Sequence, residues 1–273
     1  MTTDIFQMIS SLDAEGIQRV VDRLEYRGKD DFFVAMRETY LNRMEIGPTT
    51  RVLDLGCGTG IVARALAARA SFPRRIVGID YSGELIGAAK RLAREEGIGE
   101  RVEFRVGDGA SLDDDEATFD VVILHTLVSH VPNPDAVIAE AGRVVRPGGT
   151  VVIFDGDYAS LAMTTGNHEN DVRMVQAILA AIVANPYVMR QVPSIIQKVK
   201  LQLEDFLPHV LAEAGEVTFF ANMAESYVPM VVRAQLMSED KATDWLDAYR
   251  KSAAHSNSFG SCNYCTYLIR RPT

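Results

Sequence analysis

The amino-acid sequence predicts an α/β chain: a doubly wound, mostly parallel seven-stranded sheet with helical cap segments. Three observations carry that prediction. From Arg51 onward, short apolar runs alternate with longer amphipathic ones, the rhythm of βαβ units whose sheet is covered on both faces. A glycine-rich segment, Gly56-Cys57-Gly58-Thr59-Gly60, falls where the first apolar run ends and an amphipathic stretch begins. The composition is that of an ordinary globular protein, with 47% hydrophobic and 24% charged residues in a chain of 273.

The first fifty residues read as two helices. Ile17, Val20, Val21 and Leu24 recur at i, i+3, i+4, i+7, with Ser11 as candidate cap and Asp13 and Glu15 in the first turn, where carboxylates favour the helix dipole. Phe33, Met36, Tyr40, Leu41 and Met44 carry the second helix, which stops at Gly47-Pro48. Strand-like runs follow at 52–55, 76–79, 102–106, 121–124 and 151–154, with helical stretches between them at 59–69, 83–96 and 135–145. Ser82 is placed to cap the second of these helices, and Asn133 with Pro134 forms an N-cap and N1 pair for the third. Beyond Asp155 the pattern predicts helices at 170–184 and 192–214, a strand at 217–221, helices at 227–237 and 239–254, and a last strand at 263–270. No Pro/Gly/Ser linker divides the chain. Residues 1–46 therefore read as an N-terminal helical lid on a domain spanning 47–273, with helical cap insertions at about 156–200 and 224–257.

Charge and cysteine usage narrow the partners. Lys and Arg number 28 against 37 Asp and Glu, a formal charge of −9 with no basic tract, which argues against nucleic acid. No apolar run approaches the roughly 20 residues of a membrane-crossing helix, so no stable membrane association is expected. The first residues lack a basic segment followed by an apolar run, and the three cysteines cannot form a disulfide framework; both features point to the cytoplasm. Cys262 and Cys265 stand three apart in a predicted strand, on opposite faces, and no second pair accompanies them, so no metal site is expected.

The chemistry is concentrated at three strand ends. Glycines at positions 56, 58 and 60 permit a tight turn and the close approach of a ligand to the backbone. Ile61 stands where a dinucleotide-binding G-x-G-x-x-G would place its third glycine, and Asp54 precedes the loop. A carboxylate there suits a cationic ligand better than a pyrophosphate. Asp80 ends the second strand, where its two oxygens can accept both hydroxyls of a ribose. Gly107-Asp108-Gly109 ends the third, where a side-chain oxygen can take the exocyclic amine of adenine. The three acids converge on the crevice where such sheets hold ligands.

Residues 51–155 resemble the class I S-adenosylmethionine-dependent methyltransferases, a Rossmann-like family, and most closely its small-molecule branch, which includes the ubiquinone and menaquinone methyltransferases. The resemblance implies S-adenosylmethionine as cofactor. It assigns Asp54, Gly56, Gly58 and Gly60, with Cys57 and Thr59 between them, to the loop that holds the methionine end, Asp80 to the ribose, Tyr81 to the adenine face, and Asp108 and Gly109 to the adenine edge. Phe119-Asp120-Val121-Val122 matches the family's fourth-strand motif, and Arg146-Pro147-Gly148-Gly149 its turn into the fifth strand. More weakly, Leu211-Ala212-Glu213-Ala214-Gly215 resembles the last helix and turn. The segment His125-Thr126-Leu127-Val128-Ser129-His130 replaces the Asn/Asp-Pro-Pro-Tyr/Phe element of enzymes that methylate base amines, which disfavours such targets.

The acceptor implied is a small metabolite, methylated at oxygen, carbon or nitrogen by in-line displacement. His130 is the candidate general base and acceptor contact, because its unperturbed pKa suits proton abstraction near neutrality. His125 is placed beside the methionine end, Tyr40 is a candidate cofactor contact from the N-terminal helices, and Asp155 and Tyr158 are candidate acceptor contacts after the fifth strand. Two other functions share the same donor site: a cyclase or isomerase, and a noncatalytic S-adenosylmethionine-binding regulator. Oligomeric state, monomer or homodimer, stays open at this level.

Overall fold

Strand β1 (Arg51–Leu55) runs through the middle of the sheet, parallel to β2 (Arg75–Asp80) on one side and β4 (Phe119–His125) on the other. The computed structural model describes residue 9, residues 12–71 and residues 73–273. With β3 (Val102–Val106), β5 (Val145–Thr164), β6 (Gln202–Gly215) and β7 (Ser258–Arg270), the order across the sheet is β3-β2-β1-β4-β5-β7-β6. Only β7 runs antiparallel to its neighbours, β5 and β6. The winding direction reverses between β1 and β4, and the carboxyl ends of those strands open the crevice that this topology reserves for ligands.

Alternation along each strand divides the core in two. Val52, Val121, Ile123, Val152 and Phe154 pack to one face, beneath α2 (Asp31–Leu41), α3 (Ile61–Ala67), α4 (Gly83–Glu95), α6 (His168–Ile182), α8 (Phe219–Arg233) and α9 (Glu239–Ala254). Leu53, Leu55, Val122, Leu124, Val151 and Ile153 pack to the other, against α5 (Pro134–Val144) and α7 (Val188–Lys198). Helix α1 (Ala14–Lys29) belongs to neither. Its Val20, Val21 and Leu24 form a separate small cluster with Ile9 and Leu85. Cys262 joins the first face and Cys265 packs against the second, as their spacing requires.

Local signals place most helix ends. The Asp13 side chain accepts from Gly16 N at 2.8 Å and starts α1; the Ser11 cap expected from the sequence lies outside the described residues. Asp30 closes α1 and opens α2, its Oδ1 accepting from Phe32 N at 3.0 Å. Ser82 caps α4 and Asn133 caps α5 with Pro134 in the first turn, both as expected. At the amino ends of the strands, Asp120 accepts from Arg51 and Arg146. These bonds outweigh the upward push of partial burial and hold its carboxyl down at about 2. The fourth-strand motif thus clamps the sheet at the end away from the crevice.

The last third departs from the expected pattern. Residues 202–215 are not the end of a helix but the edge strand β6, paired with β7 along its length, and the Leu211–Gly215 segment ends that strand. Leu207 and Leu211 explain the misreading: a spacing of four satisfies both a helical stripe and one face of a strand, and only the partner decides. The expected strand at 217–221 is instead the start of α8. Its first N–H groups, on Thr218, Phe219 and Phe220, donate to the Glu213 carboxylate at 3.0, 3.0 and 3.1 Å, a cap supplied from the preceding strand. Strand β5 also runs ten residues beyond the expected 154, so the first cap region begins in the sheet.

Candidate functional site

A cavity of about 560 Å³ lies over the carboxyl ends of β1, β2, β3 and β4. Its floor is the loop after β1. Gly56 has φ +69° and a Cβ there would collide with Leu127, so the position excludes any side chain. Gly56 N and Cys57 N donate to Ile79 O at 2.7 and 3.0 Å, fastening the loop to β2. Asp54, Gly56, Cys57, Gly58, Thr59, Asp80, Tyr81, Asp108, Gly109, His125 and His130 all line this cavity. The Thr59 hydroxyl is buried beside the loop without a hydrogen-bond partner among the described residues.

The three carboxylates differ in setting. Asp54 is buried and accepts from Ala63 N at 3.0 Å; burial, with Asp80 adding to it, pushes its pKa up to about 7, while that bond and Arg37 oppose the shift. Asp80 is braced by two backbone donors, Gly58 N at 2.8 Å on Oδ2 and Ser82 N at 2.9 Å on Oδ1, and burial raises it as well. Asp108 sits exposed at the rim, accepting from Ala110 N at 2.9 Å. Tyr81, 76% exposed, stands on the rim beside it, free to cover a flat ring. Cys57 contributes backbone to the cavity while its thiol packs toward Gly78 in the core, where burial holds it protonated.

The wall opposite the loop comes from β4. His125 stacks on Phe154 with ring centroids 4.6 Å apart, and its Nδ1 pairs with the Tyr40 hydroxyl at 2.8 Å. Burial, with Arg27 and Arg37 nearby, lowers the His125 pKa, so the ring is neutral at physiological pH. The fully buried Tyr40 does not line the cavity. The structure places it behind His125, where it orients that ring, in correction of the direct contact expected from the sequence. Next in the chain, Thr126 has φ +53°, a strained conformation for a β-branched residue. It is pinned by its own N–H to Phe154 O at 2.6 Å and by Arg27, whose Nη2 donates to Oγ1 at 2.8 Å.

A second cavity, of about 520 Å³, adjoins the first, and His130 and Arg27 line both. Tyr158 lines the second. Asp155 lines neither: fully buried, it accepts from Ser129 N at 3.0 Å and Gly156 N at 2.8 Å, and so shapes the His130 loop from behind. Sequence reading missed the arginines Arg23, Arg27 and Arg37. Arg23 and Arg27 sit three and seven residues after Val20, on the apolar stripe of α1, and a cation on such a stripe was the available signal.

Residues 52–149 match the family model described as a methyltransferase domain. A ubiquinone biosynthesis O-methyltransferase from Methylococcus capsulatus is 31% identical over 205 residues, covering 75% of this chain and 78% of that protein. The chain belongs to the S-adenosylmethionine-dependent methyltransferases. Two solved structures share its fold. Geranyl diphosphate C-methyltransferase from Streptomyces coelicolor superposes with TM-score 0.55 at 18% identity, over 87% of this chain and 76% of that one. The [4+2]-cyclase SpnF superposes with TM-score 0.58 at 20% identity, over 90% and 85%. The chain spans about half the length of two other curated relatives, 49% and 50%.

S-adenosylmethionine is the cofactor of this methyltransferase, and the first cavity fits it. Its volume lies within the range of small-molecule sites. Its three carboxylates suit a cationic, phosphate-free ligand, and the glycine loop leaves room where a Cβ would intrude. A consequence follows from Asp54. A cationic ligand favours the carboxylate form, so donor affinity is expected to rise with pH, by up to about tenfold per unit below pH 7, and to level off above it. The raised pKa also means that between about pH 4 and 7 the folded protein holds a proton the unfolded chain releases, so ligand-free stability falls as pH rises through that window. Asp54→Asn should therefore flatten the affinity profile while raising the ligand-free Tm above pH 7. Calorimetry and thermal unfolding between pH 6 and 8 check both; an unchanged slope in the variant would move the titrating group elsewhere.

Proposed function

We propose that the protein methylates a small, partly apolar metabolite held in the second cavity, with His130 accepting the proton where the nucleophile must lose one. The observation that carries this reading is the shared wall: His130 and Arg27 line both cavities, so a donor in one and an acceptor in the other would meet there. When bound, S-adenosylmethionine supplies a methyl group on a sulfonium leaving group. The chain's part is alignment, water exclusion and proton handling.

Asp80 and Asp108 hold the nucleoside end, and Thr59 and the glycine loop hold the methionine end close to the backbone. Leu127 and Val137 supply apolar walls that exclude water. An imidazole nitrogen of His130 would take the acceptor proton as the methyl group is transferred, where the nucleophile carries one. Asp155 is a positioning residue: it fixes the loop through Ser129. Tyr40 positions His125 in the same indirect way. Helices α1 and α2 act as the cover of residues 1–46, and the segments around 156–200 and 224–257 help enclose the acceptor.

The chain's charge of −9 supports a small metabolite over nucleic acid as acceptor. Among the described residues no helix is long and apolar enough to cross a membrane, and three free cysteines suit a reducing cytoplasm. Incubation with S-adenosylmethionine and a fractionated metabolite extract should yield S-adenosylhomocysteine and a product heavier by one methylene. Donor binding with no methylated product across a broad acceptor panel would overturn the reading, and a rearranged, unmethylated product would favour a cyclase or isomerase.

A further inference from the structure

The second cavity carries cations that no acid among the described residues answers. Arg23 and Arg27, one helical turn apart on α1, face it, and Arg233 stands exposed at its rim. The acids nearby are engaged elsewhere: Glu225 pairs with Arg250 at 2.6 Å, and Asp22 accepts from Gln18 at 2.7 Å. Among the described residues Arg23 has no carboxylate partner, and its buried Nε has no hydrogen-bond partner at all. Its guanidinium carbon lies 4.8 Å from the Tyr227 ring centroid and 5.8 Å from that of Phe219. Arg27 donates to the neutral Thr126 hydroxyl and lies 5.5 Å from the Phe33 centroid. Aromatic faces and the neutral hydroxyls of Tyr227 and Thr126 offset part of the cost of withdrawing such charges from water. Among the described residues, however, no anionic oxygen answers either guanidinium and the Arg23 Nε stays unpaired.

We propose that the second cavity selects acceptors bearing an anionic group, a carboxylate or a phosphate, on an apolar or aromatic body, with Arg23 as the principal anchor. The inference rests on the reading of this cavity as the acceptor site. The guanidinium edge offers a fork of donors matched to two anionic oxygens, and such bonds are the stronger kind. Tyr158, Tyr227, Tyr264 and Met223 provide the apolar surroundings for the body. Because Arg27 lines both chambers, it can sense the anion and the donor side together, and its bond to Thr126 ties anion capture to the strained turn after β4.

The test uses the full chain saturated with S-adenosylhomocysteine and matched probes: 4-hydroxycinnamate against its amide, and geranyl phosphate against geraniol. Calorimetry should show each anion binding about 10- to 100-fold more tightly than its neutral partner, the gain expected of a charged hydrogen bond. The carboxylate and phosphate pairs identify which anion is preferred. Arg23→Gln should abolish the preference, and Arg23→Lys should restore part of it, which a merely structural role would not do. S-adenosylhomocysteine affinity, measured alongside, verifies that each variant is folded. Equal binding of acid and amide, and of phosphate and alcohol, would overturn the anion proposal while leaving the acceptor cavity in place. A preference surviving in Arg23→Gln would remove Arg23 as anchor. Failure of all four probes to bind would overturn this inference, whereas the acceptor reading stands or falls separately on methyl transfer to the metabolite extract.

Discussion

Replacing His130 by alanine is expected to slow methyl transfer by about 10²- to 10⁴-fold, the range for loss of a general base. The expectation stems from position: His130 lies on the wall between the two chambers, its ring 6.3 Å from that of Tyr158, on a loop that the buried Asp155 holds through Ser129 N. The loss should fall on kcat for acceptors whose nucleophile must shed a proton, and imidazole added to the alanine variant should recover part of it. Raising pH should narrow the gap as the acceptor ionises unaided. An effect confined to acceptor KM, with kcat intact, would make His130 a wall residue and leave alignment as the chain's whole contribution.

Asp80→Asn should weaken S-adenosylmethionine and S-adenosylhomocysteine by similar factors, on the order of 1–3 kcal/mol each, the cost of losing a charged hydrogen-bonded pair. The equality is the diagnostic. A carboxylate on the ribose cannot distinguish donor from product, whereas one beside the sulfonium would penalise the donor more. Asp80 also accepts from Gly58 N and Ser82 N with different oxygens, so asparagine turns one donor toward another and disturbs a loop junction as well. Thermal unfolding of the ligand-free variant separates the two effects: a preserved midpoint with weakened binding keeps the ribose assignment, and unchanged affinity for both ligands removes it.

The glycine loop, the acids at three strand ends and the first five strands were legible because their signals are local. Each strand is a short apolar run, and caps such as Ser82 and Asn133 act within three residues. What escaped depends on partners remote in the chain. Tyr40 meets His125 across 85 residues, so nothing near Tyr40 shows that it orients a histidine instead of facing the ligand. Residues 202–215 have strand character only because β7 lies beside them, and α8 begins where it does because Glu213, outside the helix, satisfies its first N–H groups. Arg23 and Arg27 were hidden for another reason: an arginine within a helix reads as solvated until a cavity is known to lie in front of it.

Helix α1 rests on its own small apolar cluster, apart from both halves of the main core, and it walls the donor chamber through Leu24 and Gly28 and the neighbouring one through Val20 and Arg23. At its end Asp30 is the residue that closes α1 and opens α2. One sixteen-residue rod therefore roofs two compartments, and a substitution that loosens its seat would expose nucleoside and acceptor sides at once.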